Sequence, residues 1–183
     1  ARDITIRGGR REWTFSLFTA RVPGASQQVY LIGCDDLYAR PWIYADDDHL
    51  RYGIFARAVI ESCQHLGWAP DVFHCPAWHA ALLPLYLRTV YAWDRLFDDS
   101  RTVLSIHNLG YQGVFSHSLA GDFGPVAALL DAGEAAQGRI NFLREGIVHA
   151  DAVSTVSPTY AREICTPELG MGLDGALRAR NDA

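Results

Sequence analysis

In Thr102-Val-Leu-Ser-Ile-His107-Asn108-Leu-Gly110-Tyr111-Gln112-Gly113, a β-branched and apolar run breaks off at a histidine. Thr102 to Ile106 predicts a short buried strand. Ligands of open parallel sheets sit just beyond the carboxyl ends of the strands, so His107 is a site candidate by position. Gly110 and Gly113 allow positive φ or close approach of backbone to a ligand. Tyr111 offers a flat apolar face, and Gln112 an amide that both donates and accepts. The plain alternative is a strand-end histidine bonded to a loop carbonyl. On this stretch alone both readings stand.

Working outward, Asp71 to Cys75 predicts a second buried strand, ending in Pro76-Ala77-Trp78-His79. A helix follows over Ala80 to Val90, with Pro84 tolerated near its first turn. Upstream, Phe55, Val59, Ser62/Cys63 and Leu66 share a helical face, which predicts a helix from about His49 to Leu66, capped by Asp48 and stopped by Gly67. Downstream, Asn141 to His149 predicts a helix and Ala152 to Val156 a strand. Ser157-Pro158 opens another helix, running through Ile164. A short helix is expected near Val126 to Leu130. At the amino end, alternation over Asp3 to Val22 about Gly8-Gly9 predicts a hairpin. Val29 to Ile32 reads as a strand, and Cys34 to His49 as a polar loop in which Asp46-Asp47-Asp48 is solvated.

Alternating strands and helices imply an α/β fold: a parallel sheet with flanking helices and right-handed crossovers. The ends at Ala77-Trp78-His79 and His107-Asn108 then open on one sheet edge. Two unrelated loops that bring histidines and aromatics together strengthen the site reading. Trp78 most simply packs, but an indole at a strand end also suits the apolar C–H face of a sugar ring.

Composition narrows the classes. The 183 residues suffice for one domain with a sizeable core, and 49% are hydrophobic. The net charge is -5 with no basic run, which argues against nucleic acid. No apolar run reaches the roughly 20 residues that span a bilayer. All 16 cationic side chains are arginine, so a Schiff-base or P-loop lysine is excluded within the chain. Four scattered cysteines without a CxxC pair, and no signal peptide pattern, lead us to expect reduced thiols and a cytoplasmic location. The chain opens at Ala1-Arg2-Asp3 without Met, and Gly175 to Ala183 resembles a helix cut short. The expectation is a piece of a longer protein.

Other chemistries fit less well. His74, Cys75, His79 and His107 match no standard zinc spacing, and His74 and Cys75 point to opposite faces of a strand. Gly170-Met-Gly172-Leu-Asp-Gly175 spells a dinucleotide fingerprint, but it follows a helix rather than a strand, so it reads as a flexible loop. Cys75 lies inside a strand beside proline, which favours burial over nucleophilic use.

As a set, three segments resemble the bacterial glycogen synthase and plant starch synthase family: Asp71-Val-Phe-His-Cys-Pro-Ala-Trp78-His79-Ala80, Ser105-Ile-His107-Asn-Leu-Gly-Tyr-Gln-Gly113 and Ala150-Asp-Ala-Val-Ser-Thr-Val-Ser-Pro-Thr-Tyr-Ala-Arg-Glu163-Ile164. The stretch Asp48 to Ala58 and the tail Thr166 to Arg180 agree in order and spacing.

The resemblance implies part of the N-terminal domain of a two-domain GT-B glycosyltransferase, with a Rossmann-like parallel sheet. Residues 1–183 would lack that domain's start and the whole C-terminal domain. The family transfers glucose from ADP-glucose to the non-reducing end of an α-1,4-glucan, with retention and without metal or other cofactor. His107 matches the histidine against the donor glucose, and Asn108 would orient that sugar. Trp78 and His79 match the pair lining the cleft, and Gly110, Tyr111, Gln112 and Gly113 the sugar-facing loop. The location would be bacterial cytoplasm, or plastid for a plant protein. One departure is Ala77, where the family usually has Asp. It leaves open a second expectation, a non-catalytic α-glucan-binding or regulatory paralogue. A metal-dependent hydrolase on an unrelated sheet is a third.

Overall fold

A computed structural model describes residues 3–9 and 11–180. Ala1, Arg2, Arg10 and the end of the expected cut helix, 181–183, lie outside the described residues. The chain runs β1 (Asp3–Gly8), β2 (Arg11–Arg21), β3 (Gln28–Gly33), α1 (Asp35–Tyr38), α2 (Asp48–Leu66), β4 (Val72–Pro76), α3 (Leu82–Arg88), β5 (Arg101–Ile106), β6 (Val114–Ser116), α4 (Ala132–Ala136), β7 (Arg139–Asn141), α5 (Phe142–His149), β8 (Ala152–Thr155), α6 (Pro158–Glu163) and α7 (Asp174–Arg178), with short 3-10 turns between some of them.

The parallel sheet has the order β4-β5-β8, with Val72 opposite Arg101 and Val103 opposite Ala152. β1, β2 and β3 form a separate antiparallel sheet. The expected hairpin is there, but the Val29–Ile32 strand belongs with it and not with the parallel set. Alternation explains the first sheet's faces. Phe73, Cys75, Leu104 and Ile106 point into the core, whereas His74 and Ser105 point away, joined at 2.7 Å, and Ser154 extends the row at another 2.7 Å.

The helix read over His49–Leu66 forms, and Ser62 and Cys63 of the expected face are buried, but that face accounts for only part of what the helix buries. Phe55 and Leu66 are exposed, while Ile54, Ala56, Ala58, Ile60 and Cys63 are buried. α2 is packed on two sides. Ile54 and Ala58 join Ile6, Trp13 and Phe15 of the antiparallel sheet, and Ala56, Ile60 and Cys63 face the main core. Single-face periodicity cannot describe a helix buried twice. Arg57 ties the two halves by donating to the Arg7 carbonyl and, at 3.3 Å, to the Tyr91 hydroxyl.

Asp48 is the first residue of α2 and not its cap, nor is it solvated. It is buried, and its Oδ1 accepts from Ala45 N–H at 3.0 Å and from Arg51 Nη1 at 2.7 Å. Gly67 ends α2 in the left-handed region as expected, with φ 61°. Asn141 and Ser157 cap α5 and α6, each side-chain oxygen accepting from a backbone N–H at 3.1 Å. The segment around the expected 126–130 helix is a longer 3-10 stretch, His117–Leu129, kinked at Gly124, and the β6–β7 ribbon had no counterpart in the sequence reading.

α3 and α5 cross closely because Gly146 has no side chain. A Cβ there would stand 2.8 Å from the Ala81 Cβ and 3.0 Å from its carbonyl oxygen. Gly146→Ala should therefore destabilise the protein by about 1–3 kcal/mol through overpacking. An unchanged melting temperature would show that the pair relaxes freely.

Candidate functional site

β4 and β5 run side by side in the same direction, with Pro76 opposite Ser105, so both carboxyl ends open on one edge. Ala77 N–H donates to the Ser105 carbonyl at 2.8 Å, one residue beyond the strand. To turn there, Ala77 takes φ 56° and ψ -172°. That region suits glycine and costs another residue about 1–3 kcal/mol. Trp78 follows, buried. Its indole stacks on His79 at 4.1 Å between centroids and meets Tyr52 edge-on at 4.8 Å.

The loop after β5 closes over that indole. Gly113, at φ 63°, lies so near its face that a Cβ would come within 2.4 Å of Trp78 Cε3. The loop is held at every step. Asn108 Oδ1 accepts from Gly110 N–H at 2.9 Å, and Leu109 N–H donates to the Tyr160 hydroxyl at 2.9 Å. Gln112 Nε2 donates to the Met171 carbonyl at 3.1 Å, while its Oε1 accepts from Asn141 Nδ2 at 2.6 Å. The Gln112 and Gly113 carbonyls accept from Leu143 and Phe142 at 3.0 and 3.1 Å. These bonds satisfy N–H groups that the start of α5 leaves unpaired.

Between the loops lies an open cavity of about 980 Å³, lined by Tyr44, Asp48, Trp78, Met171 and residues Gly110 to Phe115. Of the sequence-derived candidates, Trp78, Gly110, Tyr111, Gln112 and Gly113 meet here. His79 sits beside the wall, with Nε2 3.1 Å from the Tyr44 hydroxyl. Burial lowers its pKa, with the Asp48 charge opposing. His107 and Asn108 are exposed at the end of β5, outside the lining set. Among the described residues nothing hydrogen-bonds the His107 ring, so no loop carbonyl holds it there.

The sequence reading missed Tyr44, Asp48, Val114, Phe115 and Met171. Two signals were available: three large apolar residues, Trp42-Ile43-Tyr44, inside a supposedly polar loop, and Met171 wedged between glycines. Met171 has φ 48°, so both non-glycine residues of positive φ among those described adjoin this cavity. The Gly170–Gly175 run follows α6 and enters the first turn of α7 with no strand before it, as its rejection as a dinucleotide motif required. It is a series of hydrogen-bonded turns that buries Leu173.

Nothing here gathers metal ligands. His74 and Cys75 do face opposite ways, and burial pushes the Cys75 thiol up to about 12. Among the described residues, no three His, Cys, Asp or Glu side chains form a metal-binding group. No helix among them is long and apolar enough to cross a membrane.

Fold and cavity define a class: an α/β domain with an open cavity at the carboxyl ends of parallel strands. The chain belongs to the starch synthase catalytic domain family, whose model matches residues 4–179. It is 41% identical over 169 residues to the glycogen synthase of Thermodesulfovibrio yellowstonii, covering 87% of this chain and 34% of that protein. It is 38% identical over 183 residues to that of Thermotoga maritima, covering 99% and 38%. The catalytic domain of starch synthase IV from Arabidopsis thaliana, solved bound to ADP and acarbose, superposes with a TM-score of 0.89 at 28% identity, over 99% of this chain and 38% of that one. The chain thus spans between 34% and 38% of the length of these relatives.

Ala77→Gly relieves the strained turn at a smaller entropic cost, so stability should rise by about 1 kcal/mol in denaturant unfolding; a loss would mean that the Ala77 methyl is needed for packing. Because the unfolded chain binds the His79 proton more readily, the native state loses stability as pH falls below the imidazole's ordinary value of 6.5. The melting temperature should fall more steeply in the wild type than in His79→Gln between about pH 7 and pH 5, and parallel curves would refute the shift.

Proposed function

We propose that the whole protein transfers glucose from ADP-glucose to the non-reducing 4-OH of an α-1,4-glucan with retention, and that this chain supplies the sugar-facing wall of the cleft. The observation that carries the reading is the cavity floored by Trp78 under Gly113 and flanked by Tyr44 and Tyr111. Tyr44 and Tyr111 are exposed and present flat apolar faces of the kind that pack on sugar C–H bonds, whereas the Trp78 indole, covered by Gly113 and His79, shapes the floor without offering a face of its own. Family membership and the glycogen synthase relatives support it, and the ADP and acarbose held by the Arabidopsis enzyme support pairing a nucleotide sugar with a glucan.

On this reading the donor glucose lies beside His107 and Asn108. The bond from its anomeric carbon to the phosphate oxygen breaks, and the acceptor 4-oxygen bonds to that carbon from the same face. The acceptor proton passes to the leaving phosphate. Positive charge builds on the sugar ring as the bond stretches, and a fixed carbonyl dipole beside His107 steadies it. The reaction asks for no metal or other cofactor. The leaving diphosphate needs cations from a second domain of the same protein, this chain being part of the N-terminal one. Unpaired cysteines and bacterial relatives support a cytoplasmic location.

The test is His107→Ala in the full-length protein. Transfer of labelled glucose to glycogen should fall by about a hundredfold or more, with the melting temperature unchanged because the ring is exposed and unbonded. A large fall in melting temperature that accounts for the lost activity would make His107 structural and overturn its assigned role.

A further inference from the structure

The loop between α1 and α2 carries three consecutive large apolar side chains in water. Trp42 is 76% exposed, Ile43 71% and Tyr44 60%. Single exposed apolar residues are ordinary, but a contiguous set on a loop marks a binding surface. The backbone beneath them is pinned. The Ile43 carbonyl accepts from Arg51 at 2.7 Å and from the Tyr52 hydroxyl at 3.4 Å. Asp48 holds the Ala45 N–H, and Arg40 grips Asp47 with two bonds of 2.7 and 2.6 Å. The fold therefore spends buried polar groups on fixing a loop whose side chains contact solvent, which is how a site is preorganised.

This loop continues the cavity. The Tyr44 ring is tilted only 26° from Trp78, 6.3 Å away, and forms part of the cavity lining. Trp42 stands two residues further along, at most about 7.6 Å away between Cα atoms. We propose that Trp42 is an outer acceptor subsite, on whose indole a glucose ring of a long α-glucan stacks after the chain leaves the cavity past Tyr44. The proposal rests on the transferase reading above. A neutral polysaccharide fits the surface because the platform is flat, apolar and uncharged, whereas a nucleotide would demand cations. The Arg40–Asp47 pair held within the same loop suits the hydroxyl rim of a sugar better than a broad apolar protein interface.

The experiment uses the full-length protein with maltotriose, maltoheptaose and glycogen as acceptors, comparing wild type with Trp42→Ala and Trp42→Phe. Trp42→Ala should raise KM for maltoheptaose and glycogen about fivefold. Transfer to maltotriose, the KM for ADP-glucose and the melting temperature should stay put. Trp42→Phe should keep most of the long-chain preference. In the absence of donor, maltoheptaose should also change the tryptophan fluorescence of the wild type and much less that of Trp42→Phe. Unaltered preference for long acceptors in Trp42→Ala overturns the subsite. So does a lowered melting temperature with equal losses on every acceptor, which assigns Trp42 to contact with the rest of the protein. If the wild type transfers glucose to none of the acceptors, the transferase reading fails, and the fluorescence titration still decides whether Trp42 binds glucan.

Discussion

The contact on which the site depends is the absence of a side chain at residue 113. Gly113 lies on the indole of Trp78 at a separation that no Cβ would tolerate. One loop leaves β4 and the other leaves β5. Adjacent parallel strands deliver both to the same edge, but parallelism alone does not make them touch. The touch comes from a flat ring meeting bare backbone. It fixes the cavity floor, buries the indole and positions Gly110 to Phe115 as the opposite wall.

The loop after β5 also couples the cavity to distant parts of the chain. Gln112 spends both ends of its amide on protein partners, Met171 and Asn141, and its carbonyl on the start of α5. This makes it a clamp as much as a surface. Tyr160 on α6 holds the Leu109 amide in the same way. The strained residues Ala77 and Met171 stand at the two places where the chain must turn sharply to reach the cavity, and the surrounding bonds over-determine both conformations.

Where one local signal sufficed, the sequence was readable. The break after Ile106, the cap-and-proline start at Ser157-Pro158 and the glycine stop at Gly67 all show up as punctuation and sit where they were expected, and the strand read to Cys75 ends one residue later, at Pro76. What failed needed long-range knowledge. The strand at Val29–Ile32 is apolar and short, and nothing local says whether its neighbour runs parallel or antiparallel. α2 hides its true buried faces because two cores share it. Asp48 looks like an ordinary helix-start carboxylate until Arg51, Ala45 and the cavity are assembled around it. Three-residue strands such as Val114–Ser116 carry too little pattern to be seen at all.

Charge distribution explains what this wall can and cannot do. Among the described residues no arginine lines the cavity, and the one beneath it, Arg51, is committed to Asp48 and to the Leu37 and Ile43 carbonyls. A buried pair of this kind costs about 3–5 kcal/mol to break, so Arg51 is not available to a ligand. A diphosphate placed here would meet no free cation among the described lining residues, because the Arg51 charge is already matched by Asp48. A neutral sugar meets no such penalty and gains from the exposed rings of Tyr44 and Tyr111. The wall is therefore electrostatically suited to the glycosyl side of a nucleotide sugar and unsuited to its phosphates. In the proposed transfer this division keeps the developing positive charge near fixed dipoles, and leaves the developing negative charge to cations outside this wall.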